Sequence, residues 1–179
     1  MHTKFCIKQQ SIFNRLLHFV KTIFSLSLLF VFTTAVHSAD IDIDKLLQTA
    51  KKQNKNIMFF HHIPGCPYCT TMIDENFKDV STLKEINKNF IYVDIYTKNK
   101  GMIKFKDFKG SHKEFSAYLG AIVYPSTIFM NDEGKIIHKA IGYRNIDEYF
   151  IEIKYISSQS YKDISLEKFT ENYELEKDD

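Results

Sequence analysis

Ile63-Pro64-Gly65-Cys66-Pro67-Tyr68-Cys69 is the stretch on which the reading of this chain turns. A proline–glycine break is followed by two thiols three positions apart, with a proline directly behind the first. Proline has no N–H and a φ suited to a helix, so it is tolerated in a helix's first turn, where that donor has no partner anyway. Cys66 therefore opens a helix and Cys69 lies one turn inside it. Two thiols held in this way can pass between dithiol and disulfide.

On the N-terminal side, Ile57 to His61 is a short continuous apolar run that suits a strand buried on both faces. Before it, Asp44 to Asn54 reads as an amphipathic helix with Leu46, Leu47 and Ala50 on one face. Lys51, Lys52 and Lys55 gather at its C-terminal end, where cations complement the helix dipole, and Asp42 or Asp44 supplies the N-cap. On the C-terminal side, the segment from Cys66 to Phe77 turns Met72, Ile73 and Phe77 inward. Asp79 caps a second short helix, Val80 to Lys88, with Leu83 and Ile86 inward. Phe90 to Tyr96 is the clearest strand, rich in β-branched and aromatic residues.

Thr97 to Gly110 carries Lys98, Lys100, Lys104, Lys106 and Lys109 with Ile103, Phe105 and Phe108 between them. Such a stretch could face nucleic acid or a membrane surface. Acids elsewhere cancel its charge, so we read it as a solvated loop with a short edge strand. Ser111 caps a helix from His112 to Leu119, with Glu114 completing a capping box and Gly120 ending it. Tyr124 to Met130 is a strand with proline near its start, Asn131 to Gly134 a turn, and Lys135 to Ile141 the returning strand. Ile146 to Ser157 is a helix with Ile146, Tyr149, Phe150 and Ile153 inward. A last helix runs from Leu166 to about Tyr173, before an acidic tail from Glu174 to Asp179. The order specifies an α/β fold: a mixed central sheet with helices on both faces.

The chain has 179 residues, which suits one domain, and 44% of them are apolar, enough for a packed core. Lys4, Lys8, Arg15 and Lys21 precede residue 40, and no acid does. Without those four, 20 basic residues face 22 acidic ones, a net charge of −2, so the basic excess belongs to the N-terminal segment. The near-neutral body has no electrostatic footprint for nucleic acid. After the basic region come the apolar run Ile23 to Phe32 and the small residues Ala35, Ser38 and Ala39, the order of a secretory signal. Residues 1–39 are read as a signal peptide cleaved after Ser38 or Ala39, residues 40–160 as the folded domain and 161–179 as a C-terminal helix and tail. The competing reading is an uncleaved membrane anchor reaching back to Leu16, about twenty residues long, with His18 and Lys21 awkwardly inside it. Cleavage removes Cys6 and leaves Cys66 and Cys69 as the only cysteines. A bridge closing so short a loop restricts little of the unfolded chain, so a purely structural staple is a weak explanation for the pair.

The order of elements, with Cys-x-x-Cys at the first strand-to-helix junction and a proline opening the hairpin strand, resembles the thioredoxin fold. Pro64 to Cys69, Met72, Tyr124 to Phe129, Asp132 to Lys135 and Gly142-Tyr143 resemble most the SoxW-type exported thioredoxin-related proteins, over about residues 42 to 158. The resemblance implies that Cys66 is the exposed attacking thiol and Cys69 the buried resolving thiol. It implies that Pro125 is a cis-proline facing the active site and that the backbone of Tyr124 pairs with the substrate chain, with Tyr68 at the rim. It further implies a periplasmic reductant of protein disulfides, supplied with electrons by a membrane or periplasmic donor protein. No cofactor is implied. A thiolate at a helix N-terminus is favoured by free N–H groups and the dipole, so the Cys66 pKa is expected to be lowered.

Three departures stand out. Pro67-Tyr68 replaces the Gly-Pro usual between the cysteines of thioredoxins, and the Gly-Gly-x-Asp pattern of glutaredoxins is absent, so glutathione binding is not expected. Phe60 stands six residues before Cys66, where thioredoxins carry a buried aspartate; His61, His62 or Glu75 is a candidate substitute. Tyr124 is bulkier than the residue usual before the proline, which would narrow the groove. A rival reading makes Cys66, Cys69 and His61 or His62 soft ligands for Cu(I) or zinc, in a metal-binding or metallochaperone module. A closed zinc site wants four ligands, and no second ligand pair stands out. Covalent haem attachment is disfavoured because Thr70, not histidine, follows Cys69. A third reading keeps the fold as a docking module with a vestigial cysteine pair.

Overall fold

The computed structural model describes residues 40–178. The expected signal peptide, its cleavage sites and the alternative anchor lie outside the described residues. Among the described residues, no helix is long and apolar enough to cross a membrane.

After β1 (Ile41–Asp42), α1 (Ile43–Gln53) begins at Asp42, whose carboxylate accepts the Lys45 N–H at 3.0 Å; this settles the cap between the two candidates. Asn54 closes α1 in the left-handed region. β2 (Asn56–His62) has its five central residues buried, as a strand covered on both faces requires. α2 (Pro67–Asp74) and α3 (Val80–Asn89) follow, the latter capped by Asp79, which accepts the Thr82 N–H at 2.7 Å. β3 (Phe90–Tyr96) has the expected bounds.

Ile73 and Leu83, expected inward, are 37% and 36% exposed. α3 presents Ile86 to the core as expected, with Thr82 rather than Leu83 one turn away on the same stripe. Ile73 and Leu83 flank an open apolar cleft between α2, α3 and the rim of β3.

The basic stretch is loop only over residues 97–101; the rest holds two strands where one short edge strand was expected. β4 (Met102–Phe105) and β5 (Phe108–Ser111) form an antiparallel hairpin, and β1 adds parallel to β4. Ile103 and Phe105 are buried while Met102 and Lys104 face out, the alternation of a half-covered strand. Lys104 and Lys109 lie on the wet side of this small sheet, and Lys98, Lys100 and Lys106 in the loop and turn beside it.

α4 (His112–Leu119) has both halves of its capping box: Ser111 N–H donates to Glu114 Oε2 at 2.8 Å, and Glu114 N–H to Ser111 Oγ at 3.3 Å. β6 (Ser126–Met130) starts one residue after Pro125, and β7 (Ile136–Ile141) returns beside it. The main sheet has the order β3-β2-β6-β7, with β2 parallel to β3 and antiparallel to β6, which is antiparallel to β7.

α5 (Ile146–Ser157) has the expected length but a wider buried surface. Tyr149 and Ile153 are buried as expected, whereas Ile146 is exposed and Phe150 only half-buried. Ile151, Glu152, Tyr155 and Ile156 are buried as well. The cause is α6 (Leu166–Asp178), which covers a second side of α5: the rings of Tyr155 and Phe169 lie 5.4 Å apart, and the Tyr155 hydroxyl donates to Ile164 O at 2.8 Å. The sequence pattern ends this helix near Tyr173; it continues to Asp178.

Two apolar clusters sandwich the sheet. One joins α1, α4 and the β4–β5 hairpin to Ile57, Phe59 and Ile128; the other joins α2, α3 and α5 to Met58, Phe60 and Phe129. Odd and even residues of β2 thus serve opposite cores, as strand geometry demands.

Candidate functional site

Gly65, at φ 69°, makes the left-handed bend that turns the chain from β2 into α2. Cys66 is the N-cap, in extended backbone, and its Sγ accepts the Cys69 N–H at 3.1 Å. Pro67 occupies the first turn. Cys66 and Cys69 are joined by a disulfide, with Cα atoms 5.3 Å apart. The pair is unequal: Cys66 is partly exposed, whereas Cys69 is 2% exposed. A nucleophile must be reached by its target, so the outer sulfur is the one a substrate disulfide can meet.

The second wall comes from the end of the sheet that carries the cysteines. Ser126 of β6 pairs with His61 of β2, so the residues before β6 lie beside the strand end that leads into Cys66. The Tyr124–Pro125 bond is cis; Pro125 is buried and Tyr124 half-buried. Ile122 and Val123, just before them, are exposed. Tyr68 is 63% exposed at the rim.

The third wall was not among the expected site residues. Gly142 N–H donates to Pro125 O at 2.8 Å, and the Tyr143 ring lies 5.6 Å from that of Tyr68. One short loop after β7 therefore touches both the proline and the residue between the cysteines. The Gly142-Tyr143 pair after the hairpin was the only trace of this in the sequence.

Residues 43–157 match the family model described as a thioredoxin-like domain. The chain belongs to that family. Among solved structures, a thioredoxin-fold protein from Helicobacter pylori aligns at 20% identity and TM-score 0.51, covering 79% of this chain and 87% of that one. A thioredoxin from Thermus thermophilus aligns at 16% identity and TM-score 0.51, covering 66% of this chain and 87% of that one. These likenesses establish the thioredoxin fold. No curated protein matches the chain.

The structure separates the three candidates for the acid missing from this thioredoxin-like site. Phe60 is fully buried and packs edge-on against Phe77, with centroids 4.7 Å apart, so its position is committed to the core. Glu75 is exposed at the end of α2. His61 points to the face opposite α2, where its Nδ1 lies 2.9 Å from Ser116 Oγ. His62 shares the α2 face, between the rings of Phe60 and Tyr96, and its Nε2 lies 2.8 Å from the Asp94 carboxylate. Of the three, His62 alone joins the face of the cysteine helix to a second titratable group. The same geometry weakens the metal reading. His61 and His62 point apart, and among the described residues no group of three or more His, Cys, Asp or Glu side chains converges on one point.

Burial, helped by the neighbouring His62 and His112, lowers the His61 pKa from 6.5 to about 3. Its neutral form is therefore the folded form. Above pH 6.5 it is neutral folded or unfolded; below that, the unfolded chain takes up a proton that the folded one refuses, so stability falls as pH drops from 6.5 towards 3. His61→Leu is expected to flatten this acid limb, measured as the urea midpoint against pH. An unchanged slope between pH 6 and 4 would assign the limb to other groups.

Proposed function

We propose that this protein is an exported thiol–disulfide oxidoreductase of the SoxW-type group that reduces protein disulfides in the periplasm. The observation that carries the reading is the unequal Cys66–Cys69 pair at the N-terminus of α2, with Cys66 Sγ facing a backbone N–H. In the dithiol form that N–H and the helix dipole stabilise a Cys66 thiolate. The thiolate attacks one sulfur of a substrate disulfide. That S–S bond breaks, a mixed disulfide forms and the other substrate sulfur leaves as a thiolate. Cys69 then gives up its proton and attacks the Cys66 sulfur. The substrate leaves with two electrons taken from the pair, one proton from Cys69 and one from water, and Cys66–Cys69 is oxidised. A dithiol electron-donor protein, in the membrane or the periplasm, restores the pair. No bound cofactor enters the cycle.

In this reading the backbone of Tyr124, beside Pro125, pairs with an extended substrate segment, and Tyr68 forms the rim. Residues 40–160 form the working domain, 1–39 the leader and 161–179 an accessory helix and tail. The protein meets a membrane through its own chain only if the leader is retained.

Mass spectrometry after thiol alkylation, with and without reductant, tests the chemistry. The expected result is two protected thiols in air, both released by dithiothreitol, with the bridge re-forming on addition of a protein disulfide. A protein that stays fully alkylatable in air and holds stoichiometric metal would establish the metal-binding reading instead. The direction of electron flow has its own readout: a reduction potential towards the thioredoxin value of about −270 mV fits a reductant, and one near −120 mV without insulin reduction contradicts it.

A further inference from the structure

Glu152 presents a carboxylate where α5 buries its apolar side. It is 2% exposed, between the fully buried Tyr149 and Ile156. A buried charge is costly unless paired, and a well-packed apolar residue usually serves a core at least as well. Glu152 meets two partners, His138 through a hydrogen bond and Arg144 through an ion pair without hydrogen-bond geometry. Its Oε1 lies 3.0 Å from His138 Nε2 on β7, and its Oε2 lies 3.3 Å from Arg144 Nε.

Arg144 carries the connection onward. Its guanidinium donates to Ile141 O at 3.2 Å and to Tyr143 O at 3.0 Å, gripping the backbone of the loop from which it projects. Asn76 holds the same loop from the other side. It is fully buried on the turn after α2 and donates to Arg144 O at 3.0 Å and Asn145 O at 3.1 Å. With the Gly142 N–H on Pro125 O, the loop is fastened to α5, to the exit of the cysteine helix and to the cis-proline. What it carries to the site is the Tyr143 ring, against Tyr68.

We infer that Glu152, acting through Arg144, is a positioning residue that sets Tyr143 as the third wall of the substrate groove. The inference rests on the redox reading of Cys66 and Cys69 and adds what that reading leaves open: how the groove selects a polypeptide over a small disulfide. The charge pair fixes where the loop stands, and Tyr143 with Tyr68 then offers an aromatic surface to the chain that flanks the target sulfur. A small aromatic disulfide reaches Cys66 without needing that surface.

Two substrates separate the roles: insulin, with dithiothreitol as electron donor, and 5,5′-dithiobis(2-nitrobenzoate), reacted with the pre-reduced full chain. Glu152→Gln, Arg144→Gln and Tyr143→Ala are each expected to raise KM for insulin by about tenfold, and Glu152→Gln and Arg144→Gln to keep kcat within about twofold and leave the rate with the small disulfide unchanged. Combining Glu152→Gln with Tyr143→Ala should add nothing to Tyr143→Ala alone, because one acts through the other. A lowered Tm with unchanged KM, equal slowing of both substrates, or additive effects in the double variant would each overturn the inference. Arg144→Gln leaves the Glu152–His138 contact intact, so it decides the matter if Glu152→Gln does not fold. A wild-type chain that reduces neither substrate overturns the redox reading, and this inference with it. A wild-type chain that reduces both, with variants indistinguishable from it, overturns the inference alone.

Discussion

Cys66→Ser is expected to abolish disulfide reduction, and Cys69→Ser to stall the protein as a mixed disulfide with its substrate. The two sulfurs differ in exposure and in electrostatics. Cys66 is partly exposed at the N-cap and lies 3.1 Å from a backbone N–H, whereas Cys69 is buried inside the first turn. A serine hydroxyl at position 66 stays protonated at neutral pH and does not attack a disulfide, so no first step occurs. A serine at position 69 leaves the attack intact and removes the group that releases the substrate. Denaturing gels without reductant, followed by mass spectrometry of any adduct, read both outcomes. The adduct from Cys69→Ser would also identify the natural partner. Turnover by Cys66→Ser, or an adduct formed through position 69 instead, would reverse the assigned roles.

Phe115→Ala is expected to destabilise the fold by about 3–5 kcal/mol, a large share of a typical domain's stability. Phe115 is fully buried on α4, with ring centroids 5.6 Å from Phe59, 5.5 Å from Phe108 and 6.4 Å from Phe105. It therefore joins the central strand to the β4–β5 hairpin. Truncation removes apolar contact and leaves a cavity that this ring-rich region can fill only in part. Urea unfolding should show a lower midpoint. A loss below about 1 kcal/mol would mean that the hairpin does not depend on this packing.

The pieces around the cysteines were legible because each carries a local signal. Continuous apolar residues mark β2, proline and glycine mark its end, and the caps Asp42, Asp79 and Ser111 with Glu114 mark three helix starts. The hairpin was obscured by its own lysines, which diluted the alternation of Ile103 and Phe105. Ile73 and Leu83 were misplaced because apolar character does not say which side of a short helix meets the core. The wide burial of α5 depends on α6, a helix whose composition is mostly charged. Of the site, Cys66, Cys69, Tyr68, Tyr124 and Pro125 all sit in recognisable strings. Tyr143 sits in one too, the Gly142-Tyr143 pair, but its role was not legible there, because its loop is held by contacts from Asn76 and Glu152, which lie far apart in sequence. The opposite aims of His61 and His62 follow from strand alternation alone once β2 is drawn through both.

β3 is the margin of the main sheet among the described strands, and it shares a cleft with Asp40 to Asp42 and Leu46. Its sequence, Phe-Ile-Tyr-Val-Asp-Ile-Tyr, is broken by one polar residue, Asp94. With valine there, seven aromatic and β-branched residues would run unbroken along the sheet margin, a composition prone to recruit further strands. The hydrogen bond from His62 thus holds in place the one carboxylate that interrupts this run.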